Sequence, residues 1–417
     1  MRKKILFLNI FIILTFFLTG CWNAMELNTL GITLVMGLDF EGDKVLITAE
    51  IIEPIPARER ASMKKSNSVT YVQGIGDNIL DAFRDVTLKF DRKVYIAHNK
   101  VIILGEEFIK KVLITDLDFL VRDHEQRETA YLLVAKGSKA YEVMGITAGL
   151  EEIPGNYILK LIENFKYNPK SINVNLAESL KHFYDTGRQP ILGVVQKQKK
   201  RQISQMGKLS ENEEKYELTV IGAAAFNRER LVGYLNGEET KSFNFIMGKI
   251  KTCILTFPTP KGSSDLSRKI NSNIDFMDTN KFHMSTIDVI KLKSKKDVEI
   301  VDGNVVLKVK IKIRGSIEEL PGDIDISKEE NIKKVEEACS KEVERALSNT
   351  LTKAQKELKS DIFGFGSAFH RKYPEEWKKI KDNWDDIFVG ADFQVEAKTN
   401  VIRTGLTNTP ISRVKGR

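Results

Sequence analysis

The first twenty residues of this chain predict the compartment in which the rest of it folds. Three basic residues at positions 2–4 precede an apolar run over residues 5–18, which only Asn9 and Thr15 interrupt. This order is typical of a secretory signal. As a helix the run would reach about 21 Å, which is short of the roughly 30 Å of a hydrocarbon core. We therefore predict that residues 1–20 are a signal peptide and not a permanent span.

A cysteine directly follows this segment. Residues 18–21, Leu-Thr-Gly-Cys, resemble a lipobox, the site at which bacterial lipoprotein precursors are modified and cleaved. The Cys21 thiol would accept diacylglycerol as a thioether, and the small residues Thr19 and Gly20 would let the backbone enter a signal peptidase cleft. We predict cleavage between Gly20 and Cys21 and lipidation of Cys21, because two or more acyl chains form a stable anchor. The alternative is an ordinary signal peptide followed by an incidental cysteine.

The rest of the chain has the composition of a folded body. No later apolar stretch approaches 18 residues, and the densest ones, residues 30–40 and 220–226, are predicted to be buried strands. The net charge of +8 is spread among 29% charged residues. This suits anionic head groups better than nucleic acid, and no nucleic-acid module is recognised. Cys253 and Cys339 are predicted to be buried free thiols, with a disulfide between them as the alternative.

Apolar and polar patterns along the body predict an α+β fold, with mixed, mainly antiparallel sheets and packed helices in two or three domains. Residues 77–89 are predicted to be a helix with Asp77 as N-cap, and residues 93–104 to be a strand. After the signal peptide, the predicted units are an N-terminal region, a polar linker or exposed loop, and a C-terminal domain: residues 21–195, 196–215 and 216–417.

The C-terminal domain contains two long periodic segments. Along residues 305–316 four cationic residues alternate with apolar ones, so we predict one basic, wet face. These are Lys308, Lys310, Lys312 and Arg314. One long C-terminal helix of about thirty residues follows, over residues 327–358, with an apolar stripe and no Gly or Pro. We expect this stripe, which includes Leu351, to pack on a sheet built from the hairpin of residues 218–235 and the strand of residues 305–316.

Several blocks of sequence are similar to one known family. They are residues 21–27 (CWNAMEL), 225–226 (AF), 231–236 (LVGYLN), 238–240 (EET), 360–369 (SDIFGFGSAF), 372–374 (KYP), Trp377, 382–384 (DNW) and 403–405 (RTG). In this order they resemble the Ger(x)C lipoproteins, the C subunits of nutrient germinant receptors in spores. Asn23 stands where that family commonly has Asp.

The resemblance implies a mixed α/β fold of three domains without catalytic residues. It implies a non-catalytic, lipid-anchored subunit of a nutrient germinant receptor needed for spore germination. It places the chain on the outer leaflet of the spore inner membrane, held by lipid at Cys21, beside membrane-embedded A and B subunits. The alternative from another class is an extracytoplasmic solute-binding lipoprotein that delivers a ligand to a transporter, which would usually present two lobes around a cleft.

Signals for enzyme chemistry are weak, and no catalytic, metal or cofactor site is predicted. Residues 74–76 and 364–366 are both Gly-x-Gly segments before a helix, like the first half of a phosphate-binding loop, but the third glycine is absent and ordinary turns are favoured. No GxSxG nucleophile elbow is present. The five histidines are isolated in sequence: His98, His124, His182, His283 and His370.

Three aromatic residues near the C-terminus are candidates for a partner surface. Tyr373, Trp377 and Trp384 are predicted to share one short helix. On an exposed helix they would form an aromatic ridge for a partner. The alternative is that they complete the core of the last domain.

Overall fold

The protein is described from a computed structural model, which covers most of the chain. The described residues are Lys4, Glu26 and residues 29–52, 69–111, 119–122, 125–147, 150–200, 216–260, 284–321 and 324–404. The rest of the predicted signal peptide, including Gly20, lies outside them, as do Cys21, His124, His283 and residues 201–215 of the predicted linker. Within the described ranges, no helix combines the length and apolar character that crossing a membrane requires.

The larger sheet has nine strands and mixed strand directions. They are β1 (Leu30–Glu41), β2 (Lys44–Ile52), β3 (Val69–Gly76), β4 (Lys93–Tyr95), β5 (Val101–Gly105), β6 (Tyr131–Ala135), β7 (Ile191–Lys199), β8 (Tyr216–Asn227) and β9 (Arg230–Leu235). Their order is β3-β2-β1-β5-β6-β7-β8-β9, with β4 paired to β1. The central pairs from β1 through β5 and β6 to β7 are parallel, and the outer pairs are antiparallel.

Both faces of the central strands of this first sheet are covered. Its helices are α1 (Ile79–Val86), α2 (Glu106–Lys111), α3 (Phe119–Arg122), α4 (Ala140–Val143), α5 (Pro154–Glu163) and α6 (Leu176–Tyr184). One face packs on α4 and α5 through residues such as Ile103 and Leu133. The other face, with Ile102 and Leu132, joins a core that continues under the second sheet. Strands buried on both faces have nearly continuous apolar sequences, which explains the dense apolar run at the start of the body.

The second sheet has four strands and carries the C-terminal helices. The strands are β10 (Cys253–Pro258), β11 (Met284–Val301), β12 (Asn304–Glu319) and β13 (Asp392–Arg403), in that order. The helices are α7 (Gly237–Ile246), α8 (Glu329–Lys356), α9 (Phe365–Lys372), α10 (Pro374–Ile380) and α11 (Trp384–Gly390). The α+β class predicted from the sequence is confirmed, and α8, with 28 residues, is the long helix.

Helix α8 covers the dry face and the free edge of the second sheet. Its apolar stripe is buried: Val335, Cys339, Val343, Leu347, Leu351 and Ala354. Side chains four residues apart on α8 accept hydrogen bonds from alternate N–H groups of β13: Glu336 from Val401, Ser340 from Thr399 and Glu344 from Ala397, at 2.8–2.9 Å. Four helical residues span about 6 Å and two strand residues about 6.6 Å, so the spacing of the acceptors on α8 matches the spacing of the N–H groups on β13. The free edge of the sheet is thereby protected.

The structure corrects the predicted assembly of the C-terminal domain. The β8–β9 hairpin pairs with β7 in the first sheet, and the α8 stripe packs on β10 and β13 instead. Residues 196–199, expected in the linker, are the end of β7 and pair with residues 216–219. The reason is that β7 and β8 form one long antiparallel ladder across the predicted boundary. The chain therefore passes from the first sheet to the second sheet after β9.

Two local predictions also differ. The N-cap of α1 is Asn78, not Asp77, because the Asn78 side chain accepts the N–H of Asp81 at 2.9 Å. The strand predicted over residues 93–104 is divided into β4 and β5 by a 3-10 turn, Ile96–His98. Cys253 and Cys339 are buried free thiols, as predicted, and form no disulfide.

Candidate functional site at the junction of the two sheets

The chain leaves α8 through a left-handed residue and enters a buried segment. Lys359 has φ +49°, which reverses the chain after the last turn. The hydroxyl of Ser360 donates to the carbonyl oxygen of Phe226 at 2.5 Å, and the Asn227 side-chain amide donates to the carbonyl oxygen of Lys359 at 2.7 Å. The end of α8 is thereby bound to the β8–β9 hairpin. The family-like block at residues 225–226 therefore meets the family-like block at residues 360–369 in space.

Three N–H groups hold the buried carboxylate of Asp361. The Gly364 N–H donates to Oδ1 at 2.8 Å, and the Gly366 N–H and the Trp384 indole N–H donate to Oδ2 at 2.8 and 3.0 Å. Gly364 has φ +73°, a conformation that glycine adopts without strain. The Gly-x-Gly segment does form an anion site at the start of α9, but the anion is the chain's own Asp361.

Two half-buried cations accompany this carboxylate, one from each sheet. Arg188, just before β7, donates from Nε to the carbonyl oxygen of Ile362 at 3.2 Å. Lys296 of β11 donates from Nζ to the carbonyl oxygen of Phe363. Burial raises the pKa of Asp361, opposed by the Gly366 N–H and by Lys296. Burial lowers the pKa of Lys296 to about 8. Because a buried charge without its partner is costly, these residues couple the two sheets.

The loop between α6 and β7 fits closely against the start of α9. The Ser367 N–H donates to the carbonyl oxygen of Gly187 at 2.9 Å, and the Ser367 hydroxyl donates to the carboxylate of Asp185 at 2.8 Å. A Cβ at Gly187 would lie 2.3 Å from the Ser367 nitrogen, and one at Gly366 would lie 2.8 Å from the Gly187 Cα. Only glycine at both positions allows this approach of the two backbones.

Gln189 connects three parts of the junction. Its N–H donates to the carbonyl oxygen of Asp361 at 2.9 Å. Its side-chain oxygen accepts the N–H of Arg228 at 2.6 Å, and its side-chain NH2 donates to Asp385 at 3.2 Å. One residue thus joins the segment after α8, the β8–β9 turn and helix α11.

The predicted aromatic partner surface is wrong for both tryptophans. Trp377 and Trp384 are 3% and 2% exposed, and their ring centroids lie 5.4 Å apart. Phe369 packs 5.6 Å from Trp384, and Tyr373, which is half-buried, packs 5.2 Å from Phe369. The reason is that residues 365–390 form three short helices, which fold back and turn these rings toward one another. The rings complete the core of this region, which is the alternative that the sequence also allowed.

The other Gly-x-Gly segment serves helix packing. A Cβ at Gly74 would lie 2.1 Å from the carbonyl oxygen of Ala82, and one at Gly76 would lie 2.2 Å from its nitrogen. The Ile75 N–H donates to the carboxylate of Asp85 at 3.0 Å. The glycines therefore let α1 lie directly on β3, and a side chain of α1 uses the N–H between them.

An open groove of about 1530 Å³ lies beside the junction. Its walls are the end of α6, the β8–β9 turn, the end of α8 and the start of α11. Charges of both signs line it, including Arg228 and Asp385, whose side chains lie 3.7 Å apart.

Within the described ranges, no group of three His, Cys, Asp or Glu residues could hold a metal ion. The junction hydroxyls of Ser360 and Ser367 donate to a carbonyl and a carboxylate, an arrangement that holds backbone segments together.

Sequence reasoning missed half of this junction. The missed residues are Asp185, Gly187, Arg188, Gln189 and Lys296. One signal for them was available: in β11 the lysines at 291, 293 and 295 occupy the wet face, so Lys296 falls on the dry face. A lysine at a dry position requires a buried partner.

Two family models match successive parts of the chain. Residues 23–197 match the spore germination protein N-terminal domain. Residues 221–405 match the C-terminal domain described as spore germination B3/GerAC like. The two matched regions share the junction, because Arg188 lies in the first and Asp361 in the second. The chain is thus a two-sheet α+β protein in which the two family-matched regions meet at a buried polar junction.

Relatives are similar over nearly the whole length. The chain is 27% identical to Spore germination protein KC of Bacillus subtilis (strain 168), over 99% of this chain and 98% of that protein. It is 26% identical to Spore germination protein B3 of the same organism, over 93% and 95%. The crystal structure of the GerBC protein has the same fold, with a TM-score of 0.54 at 22% identity over 88% of this chain and 96% of that one. The chain belongs to the Ger(x)C family of spore germination proteins.

Proposed function

We propose that this chain is a non-catalytic, lipid-anchored subunit of a nutrient germinant receptor. It acts in spore germination at the outer leaflet of the spore inner membrane, beside the membrane-embedded A and B subunits. The observation that carries the proposal is the match of both family domains, which meet at a junction whose buried charges bind backbone segments. Asp361 is held by N–H donors and Ser360 by a carbonyl oxygen, so these polar side chains have structural partners.

The lipid anchor is supported by the order of the first residues. A basic start, an apolar run and the sequence Leu-Thr-Gly-Cys at residues 18–21 match what lipoprotein processing requires. Lipid on Cys21 confines the body to a thin layer next to the membrane. This raises the effective concentration of the chain toward membrane-embedded partners without any new contact.

Replacing Cys21 tests the anchor and the receptor role together. We expect Cys21→Ala to give a soluble or uncleaved chain and a reduced germination response to nutrients. The measurements are membrane fractionation of spores and the rate of nutrient-triggered germination. Cys253→Ala and Cys339→Ala are matched controls, because both thiols are buried in the body, and their chains should stay with the membrane. A processed Cys21→Ala chain that remains on membranes lacking its partner subunits would contradict the anchor.

The absence of catalysis is tested separately. The full chain is incubated with a broad panel of hydrolase substrates, and we expect no turnover. Reproducible turnover that a single substitution abolishes would show that the chain is an enzyme.

A further inference from the structure

The wet face of the second sheet carries an ordered array of cations. Strands β11, β12 and β13 lie side by side, and their paired residues form three rows. The rows are Lys291, Arg314 and Asn400; Lys293, Lys312 and Lys398; and Lys295, Lys310 and Glu396. All nine side chains are exposed. We refer to these nine residues as the basic grid.

The basic grid is strongly and locally positive. Seven of its positions are cations and one is a carboxylate, which leaves six net positive charges, compared with +8 for the whole chain. Glu396 pairs with Lys310 at 2.8 Å, and Lys295 lies 3.6 Å from Asp297 beyond the grid. Among the described residues, the other five cations have no carboxylate within ion-pair distance. These five cations of the grid are therefore available to bind an anionic partner.

This arrangement costs the folded protein stability. Like charges on directly paired residues of neighbouring strands repel each other. The strands cannot slip to separate them, because residues such as Ile311 and Ile313 on the other face are buried and fix the register. Alternating charges would stabilise a face that remained in water. The repulsion is relieved when an anionic surface covers the grid.

The shape and composition of the grid indicate what kind of surface that is. Its charges spread in two dimensions, about 4.8 Å apart between strands and about 6.7 Å along them, which matches a plane of anions better than a single chain. Six of the seven cations are lysines, and none of the nine residues is aromatic. Protein interfaces are depleted in Lys and enriched in aromatic residues. Lysine clusters bind anionic lipid surfaces through long-range attraction.

We propose that the basic grid is a membrane-contact surface, which holds the second sheet against anionic lipid head groups. This inference rests on the proposed membrane location and deepens it. Lipid on Cys21 is the tether, and the grid determines which face of the body meets the bilayer.

The test is vesicle partition of the full chain carrying Cys21→Ala, so that no lipid is attached. The readout is the ratio of partition into vesicles with 30% phosphatidylglycerol to partition into pure phosphatidylcholine vesicles. This ratio cancels the contribution of the apolar N-terminus. The grid variant changes the middle row: Lys293→Gln, Lys312→Gln and Lys398→Gln. The control variant removes three exposed lysines from helices: Lys181→Gln, Lys341→Gln and Lys379→Gln.

We expect the grid variant to lower the ratio about 100-fold at low salt, because each cation near an anionic surface contributes about five-fold. High salt should lower the unmodified ratio toward one. The control variant should stay near the unmodified value, and Lys→Arg at the three grid positions should retain binding. The melting temperature of the grid variant should be unchanged or raised, since repulsion is removed.

Two results would overturn the proposal. Equal losses in the grid and control variants would mean that net charge alone matters. An unchanged vesicle ratio, with loss of the receptor complex in detergent, would assign the grid to an acidic protein partner. Since vesicle partition requires neither the lipid on Cys21 nor the receptor subunits, failure of the anchor in spores and failure of the grid are seen in separate experiments.

Discussion

The two sheets of this protein use their faces differently. In the first sheet the adjacent residues Ile102 and Ile103 are both fully buried, because helices cover one face and the shared core covers the other. In the second sheet Ile311 is 1% exposed, while its neighbour Lys312 is exposed. Strands buried on both faces, like the central strands of the first sheet, contribute only to the core. A sheet with one open face supports the fold and also presents a surface.

The largest expected effect tests the dry face of the second sheet. Leu351 is fully buried in the stripe of α8. Leu351→Asp buries an unpaired carboxylate, and we expect a loss of at least about 4 kcal/mol and unfolding of the C-terminal half. Lys341→Asp, at an exposed position of the same helix, should change stability by less than about 1 kcal/mol. Thermal melts measure both, and an unchanged melt for Leu351→Asp would mean that the stripe is a docking surface.

The second prediction tests whether the two sheets fold as one unit. Asp361→Ala removes the Asp361 carboxylate from beside Lys296 and leaves the N–H groups of Gly364, Gly366 and Trp384 without this acceptor. We expect a loss of about 3–5 kcal/mol in urea unfolding. Asp361→Asn retains one acceptor oxygen and should lose less. Wild-type stability of Asp361→Ala would show that this cluster does not couple the sheets.

A scan of neighbouring residues tests the comparison directly. Ile102→Asn and Ile103→Asn should each cost about 2–4 kcal/mol, because β5 is buried on both faces. In β12, Ile311→Asn should cost a similar amount, whereas Lys312→Asn should stay within about 0.5 kcal/mol. Urea unfolding of the four variants gives these values. Equal losses at 311 and 312 would mean that both faces of the second sheet are covered.

The smallest effect concerns a histidine beside the first sheet. Burial lowers the pKa of His182 to about 3, below its ordinary value of about 6.5. Because the folded state favours the neutral form, His182 contributes stability above pH 6.5. This contribution falls by about 1.4 kcal/mol per pH unit as the pH drops toward 3.

The control for this prediction is a second histidine. His182→Phe should flatten the dependence of the urea midpoint on pH between 6.5 and 5. His370→Gln removes a histidine whose side chain is exposed and is the matched control. A wild-type slope in His182→Phe would assign the loss of stability at low pH to other groups.

Local patterns in the sequence predicted much of this fold. The 3.6-residue period of α8 placed Leu351 on a buried stripe, and the two-residue period of β12 placed Lys310 and Lys312 on a wet face. Cys339 was predicted to be buried for the same reason. These predictions succeed because side-chain period depends only on the backbone geometry of a single helix or strand.

The junction was beyond such patterns. Arg188 and Ile362 are 174 positions apart, and Ser360 and Phe226 are 134 apart. Sequence spacing says nothing about pairs at this separation. The same limit misplaced the β8–β9 hairpin and left Trp377 and Trp384 on a predicted ridge, since three short helices decide where those rings point.

The sequence by itself determined the α+β class, the family resemblance and which face of each long element is dry. The predicted lipid anchor at Cys21 also depends on sequence alone. The tertiary structure decided what covers each dry face, which residues meet around Asp361, and that three rows of cations align into one grid. The physical reason is that the side-chain period of a helix or strand depends only on local backbone geometry. The element that packs against it is distant in the sequence, and many alternative pairings would bury a similar apolar area.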